Sequence, residues 1–168
     1  TKNTNFAYCI DMKTNLILIG KTDNKHFQIG IDDYVGRISH YMPFDVTVIP
    51  DIKNTKSLTS AQQKEREGEL IQRSLQAGDY VVLLDEHGTE RSSVEFARWM
   101  EKRVAASPRR LVFVVGGPYG FSTVMHQRAD EEISLSRMTF SHRMIRLLFA
   151  EQVYRAMTIL RGEPYHHE

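Results

Sequence analysis

Two short runs of consecutive apolar residues constrain this chain more than anything else in it. They are Leu16-Ile17-Leu18-Ile19, ending on Gly20, and Leu111-Val112-Phe113-Val114-Val115, ending on Gly116. A strand that never alternates with polar residues must be covered on both faces, and helices on both sides of a mostly parallel sheet are the usual cover. The rest of the chain supplies them. Phe27, Ile31, Val35 and Ile38 recur at helical spacing over 26–41. Residues 44–49 read as a second strand stopped by Pro50, 51–59 as a polar loop, and 60–75 as a weakly apolar, largely solvated helix. A third strand covers 80–84. Ser92-Ser93-Val94-Glu95 then predicts a capping box that opens a helix through 104. After the 111–115 strand come a short helix over 122–131, a last short strand marked by Ile133 and Leu135, and a long helix over 140–160. Strand and helix alternate about five times, so the fold class is α/β with a mostly parallel sheet flanked by helices.

Composition narrows the class further. The chain has 168 residues, of which 26% are charged, close to the roughly 25% of globular proteins, so general disorder is excluded. Lys plus Arg (22) nearly balances Asp plus Glu (21), which excludes a broadly basic shell for coating nucleic acid duplexes but leaves room for a local patch. Cys9 is the single cysteine, so the chain has no intrachain disulfide and no cysteine-based zinc site; a reducing cytoplasm is expected. No run approaches the ~18 apolar residues of a membrane span. Residues 1–11 are polar and unpatterned and read as a leader outside the fold, leaving 12–168 as one domain.

Ligands of parallel sheets bind at the carboxyl ends of strands. Two such ends carry unusual residues. Gly116-Gly117-Pro118-Tyr119-Gly120 is either a tight turn or a loop that lets backbone approach a ligand; its spacing matches neither a dinucleotide fingerprint nor a phosphate loop. Asp85-Glu86-His87 is an acid/base cluster or a polar loop. His126 and His142 lie in or beside helices, where a histidine is most often a surface or capping group. The last helix is apolar around nearly its whole circumference, from Met144 to Leu160, which suggests a self-associating surface; enclosure in the core is the alternative. Arg143, Arg146 and Arg155 punctuate it and are suited to acids or to RNA phosphate. The metal-ligand spacings are missing.

Laid out in order, these segments resemble the RlmH family of SPOUT-class methyltransferases, which methylate a pseudouridine of large-subunit ribosomal RNA. The carrying residues are Leu83-Leu84-Asp85-Glu86-His87-Gly88, Ser92-Ser93 with Glu95-Phe96-Ala97, Phe113-Val114-Val115-Gly116-Gly117, Leu135-Ser136-Arg137-Met138-Thr139-Phe140-Ser141-His142, Arg146-Leu147-Leu148 with Glu151-Gln152-Val153-Tyr154-Arg155-Ala156, and Gly162-Glu163-Pro164-Tyr165-His166. The resemblance covers about 16–168 and is densest from 80 onward. It implies an α/β fold with a C-terminal trefoil knot, a homodimer with sites beside the subunit interface, and S-adenosylmethionine as methyl donor, without a metal. The implied product is N3-methylpseudouridine in 23S ribosomal RNA, made on the large subunit or assembled ribosome, with neither DNA nor membrane as a partner. The implied donor-binding residues are Leu84, Gly116, Leu135, Ser136, Arg137, Met138, Thr139 and Phe140. The tail is expected to reach the partner's site and to place Tyr165 and His166 near the acceptor base. His166, His142 and Arg155 are the candidates to remove the N3 proton or supply a positive field. Two positions depart from the family: His167 stands where arginine is frequent, and Pro118-Tyr119 stands where smaller or polar residues are common. A SPOUT enzyme acting on transfer RNA, or a non-catalytic nucleotide-binding α/β module, are the alternatives.

Overall fold

The apolar runs form the middle of a parallel sheet. The structure, a computed structural model, describes residues 10–167. Strand β1 (Thr14–Ile19) is buried at every residue, and β4 (Arg110–Val115) at all but its first. They pair with each other, flanked by β2 (Phe44–Ile49) and by β3 (Asp79–Glu90), and β5 (Glu131–Ser134) closes the far edge in the order β2-β1-β4-β3-β5. Every pairing is parallel.

Side chains alternate across such a sheet, so each central strand feeds two cores. Leu16, Leu18, Val82, Leu111 and Phe113 face one side, where they meet the helices α1 (Lys25–Ile38), α3 (Ser93–Ala106) and α5 (His142–Arg161). Ile17, Ile19, Val81, Val112 and Val114 face the other, under α2 (Ser60–Ser74) and α4 (Thr123–Arg128). The predicted capping box of α3 is present. Ser92 Oγ accepts from the Glu95 N–H at 3.2 Å, and the Glu95 carboxylate accepts from the Ser92 N–H at 2.7 Å.

Several elements differ from the sequence reading: α4 stops at Arg128 and β5 already begins at Glu131 and ends before Leu135. α1 stops at Ile38, and Tyr41 and Met42 turn back into the core. The loop over 51–59 contains a 3-10 turn, Thr55–Ser57. β3 runs on to Glu90: after pairing Leu84 with Ile133, it pairs Thr89 with the same Ile133, so 85–88 is looped out of the ladder. α5 lies between α1 and α3, with Phe149, Val153, Ala156 and Met157 inside, so much of its apolar circumference is covered by its own chain. Of the expected leader, residues 1–9 lie outside the described residues, whereas Ile10 is buried and its N–H donates to the Tyr41 carbonyl at 3.1 Å.

Candidate active site

A cavity of about 760 Å³ opens where β3, β4 and β5 end. Parallel strands bring their carboxyl ends to one edge, so three segments far apart in sequence meet there. Leu84 and Asp85-Glu86-His87 of the looped-out segment form one wall. Val115 and the glycine loop form the floor. The chain from Ile133 to Phe140 forms the other wall, with His142 and Ile145 of α5 behind it.

Each wall is shaped locally. The Gly120 N–H donates to the Gly117 carbonyl at 3.2 Å, and Gly120 takes φ of 79°, so 117–120 is a tight turn and also lines the cavity. A Cβ on Gly116 would sit 3.0 Å from the Phe121 ring, so a side chain here would press on that ring, whereas glycine brings bare backbone to the cavity wall. In the opposite wall the Ser134 hydroxyl donates to the Ser136 carbonyl (2.9 Å) and the Ser136 hydroxyl accepts from the Met138 N–H (3.0 Å). These bonds hold 134–138 in a compact turn. Asp85 accepts from the His87 N–H at 2.8 Å and lies 3.0 Å from its ring, and that ring is largely exposed on the rim.

His142 and Arg146, at the start of α5, join this site to β1. Arg146 is buried and donates to the carbonyls of Gly20 (3.0 Å) and Ile19 and to the Thr22 hydroxyl (3.0 Å), so it caps the end of β1. Burial and then the Arg146 charge push the His142 imidazole below its ordinary value, against a hydrogen bond with the Gly116 backbone that favours protonation.

The expected site residues fall into two groups. Leu84, Gly116, Leu135, Ser136, Met138, Thr139, Phe140 and His142 line the one cavity. Arg137 does not: its side chain points outward to Glu90, 3.5 Å away. Arg155, Tyr165 and His166 form a second cluster at the far end of α5. Gly162 adopts φ of 67°, and its N–H and that of Glu163 return to the carbonyls of Ile159 and Thr158, turning the tail back along the helix. Tyr41 donates to Glu163 at 2.6 Å, and the Tyr165 ring packs 4.7 Å from that of Tyr154. Arg155 lies thirteen positions along α5 from His142, about 20 Å at 1.5 Å per residue. Sequence reasoning missed Lys64, Ile133 and Ser134 in the lining, and the buried Arg146 and Glu67 behind it. Their roles depend on what faces them, which no local pattern encodes. Among the described residues, no group of three or more His, Cys, Asp or Glu is placed to hold a metal, and no helix is long and apolar enough to cross a membrane.

Comparison with known proteins gives one consistent answer. The family profile described as "Predicted SPOUT methyltransferase" matches residues 12–166. Proteins named "Ribosomal RNA large subunit methyltransferase H" from Bacteroides fragilis and Parabacteroides distasonis are each 62% identical over 157 residues, covering 94% of this chain and 100% of theirs. The protein of that name from Flavobacterium johnsoniae is 55% identical over the same spans.

Proposed function

Because this chain belongs to the SPOUT methyltransferase family, we propose that it methylates N3 of a pseudouridine in 23S ribosomal RNA, with S-adenosylmethionine as donor. The carrying observation is the cavity built from Leu84, the Gly116 backbone and the turn over 135–140. It fits such a donor in two ways. Backbone lining the cavity at Gly116 and along 135–140 can hydrogen-bond an adenine edge, and Leu84, Ile133 and Leu135 offer apolar cover for its ring. A bound donor supplies a sulfonium-activated methyl group. The chain's own work is then to hold two reactants in line and keep the acceptor nitrogen unprotonated.

The acceptor side falls to the tail. Tyr165 offers an aromatic ring for contact with a base, and Arg155, held by Glu151 and lying over that ring, offers guanidinium donors. These groups lie too far from their own chain's cavity to share a reacting atom with it, which supports a homodimer in which each tail serves the partner's cavity. Ile29 of α1 is 57% exposed and Met144 of α5 37% exposed, on helices that pack together, so this layer retains apolar surface for a second copy. The C-terminal knot belongs to the same proposal, supported by β5 skipping its predecessor β4 to pair with β3 before the chain returns as α5. So does a cytoplasmic setting, where ribosomes are substrate.

The test is a methyl-transfer assay with radiolabelled donor on free 23S RNA, large subunits and assembled ribosomes. Methylated pseudouridine in the large-subunit RNA is the expected result. A protein that binds S-adenosylmethionine yet labels none of the three would refute the reading. Sedimentation at micromolar concentration is expected to give twice 19.4 kDa; a stable monomer would refute the dimer.

A further inference from the structure

An imidazole carries its proton on either nitrogen, and its neighbours decide which. His166 Nδ1 lies 3.1 Å from Arg155 Nη1. A guanidinium has only donors and stays charged at any working pH. Nδ1 is therefore the acceptor, and the neutral ring carries its proton on Nε2. Arg155 is itself held. Its Nε donates to Glu151 Oε1 at 3.1 Å, its Nη2 donates to the same oxygen, and its guanidinium lies 4.8 Å from the centre of the Tyr165 ring. The Tyr165 hydroxyl also donates to Glu151 Oε1, at 3.1 Å, and meets the Tyr34 hydroxyl at 3.4 Å. Glu151 thus orients Arg155 and Tyr165 together, and Arg155 orients His166.

We propose that Arg155 is a positioning residue that fixes His166 as the Nε2–H tautomer, and that His166 acts as a hydrogen-bond donor to the acceptor base rather than as the base that removes the N3 proton. The second half rests on the reaction proposed above; the first does not. N3 of a pyrimidine dione lies between two carbonyls. When its N–H ionises, the proton passes to water, and the electron pair left on N3 spreads onto both oxygens. A donor aimed at either oxygen stabilises that anion and keeps N3 nucleophilic. The neutral ring has one lone pair, on Nδ1, and that lone pair already accepts from the Arg155 N–H, so Nε2 offers a proton and no lone pair to a substrate.

The tautomer is read directly by long-range proton–nitrogen NMR on the full-length protein labelled with nitrogen-15 histidine, at about pH 8 where free imidazoles are neutral. His166 is assigned by the signal lost in His166→Gln. The expected pattern has the proton on Nε2, with Arg155→Met shifting it toward a mixture and Arg155→Lys, which keeps a cationic donor, preserving it. A proton on Nδ1 in the parent protein would overturn the proposal whatever the activity. Methyl transfer reads the second half. His166→Gln keeps an amide donor near the Nε2 position but has no base, so its kcat is expected within about tenfold of the parent, whereas His166→Ala is expected to lose about a hundredfold or more. Equal losses in the two variants would overturn the donor role. A parent protein that is inert on ribosomes would overturn the reaction and with it the donor role, and leave the spectrum to decide the tautomer.

Discussion

Glu67, on α2, is 3% exposed; its Oε1 accepts from Gln63 at 3.0 Å, and its Oε2 has no hydrogen-bond partner among the described residues. Burial holds this carboxyl above the ordinary range; the Gln63 bond lowers it and the Asp51 charge raises it. The folded chain therefore binds this proton more tightly than the unfolded chain does. The stabilising contribution is complete below the unfolded value of about 4.3 and is lost as pH rises through the folded value. Glu67→Gln removes that loss, so the Tm of the variant relative to the parent is expected to climb as pH rises above about 4. Parallel melting curves across that range would contradict it. His142 has the opposite sign. Its lowered value, from burial and then from Arg146, adds stability that is present above the unfolded value of about 6.5 and is lost as pH falls below it. His142→Asn is expected to remove that acid-side loss. Gly116 answers to binding. Its missing Cβ leaves room for the Phe121 ring at 3.0 Å, so Gly116→Val is expected to displace ring and loop together. Calorimetry should show donor affinity reduced by about tenfold or more, roughly 1.4 kcal/mol, in a protein that still folds.

At the scale of elements, caps and strand ends behave as local chemistry dictates. Ser92→Ala removes a cap that satisfies the Glu95 N–H and is expected to destabilise by about 1 kcal/mol, seen as a lower urea midpoint with unchanged slope. The same locality sets what could be read from sequence. The central strands, the α3 cap and the glycine turn were legible because each is written in adjacent residues. The continuation of β3 was not. Asp85-Glu86-His87 reads as a loop, and it is one, but the ladder resumes at Thr89 because β5 is still alongside. The sign of that neighbour is Gly88, where a Cβ would lie 2.6 Å from the Ile133 nitrogen. The environment of α5 was illegible for the same reason. Its sequence shows apolar residues on every side but not that α1 and α3 flank it. The cavity lining at Leu84, Gly116 and 135–140 came from resemblance to a family. Arg146 stood out as one of three arginines and within a segment of the resemblance, but its partners, the carbonyls of Ile19 and Gly20, lie more than 120 positions away in sequence.

In the whole molecule, the cavity and the tail occupy opposite ends of one helix, so the donor and acceptor roles proposed for them should separate. Deleting residues 165–168 removes the Tyr165–Tyr154 contact, worth about 1 kcal/mol. It is expected to leave S-adenosylmethionine binding intact while abolishing methyl transfer. Mixing that truncated chain with Gly116→Val should restore part of the activity, since one site of the proposed dimer would then combine an intact cavity with an intact tail. Full activity of the truncated chain alone would refute the division. The buried face of α5 carries a further implication, for changes of length. One residue inserted or deleted between His142 and Arg155 turns everything beyond it by about 100° and shifts it by about 1.5 Å. Phe149 and Val153 would leave the core, and the tail would swing off its bearing. Two whole turns, seven residues, nearly restore the facing but displace the tail by about 10 Å. The helix is thus a gauge block, its length fixed once by packing and again by reach. A change in the count of residues from His142 to Arg155 would therefore disturb the packing of the core and the placement of the tail together.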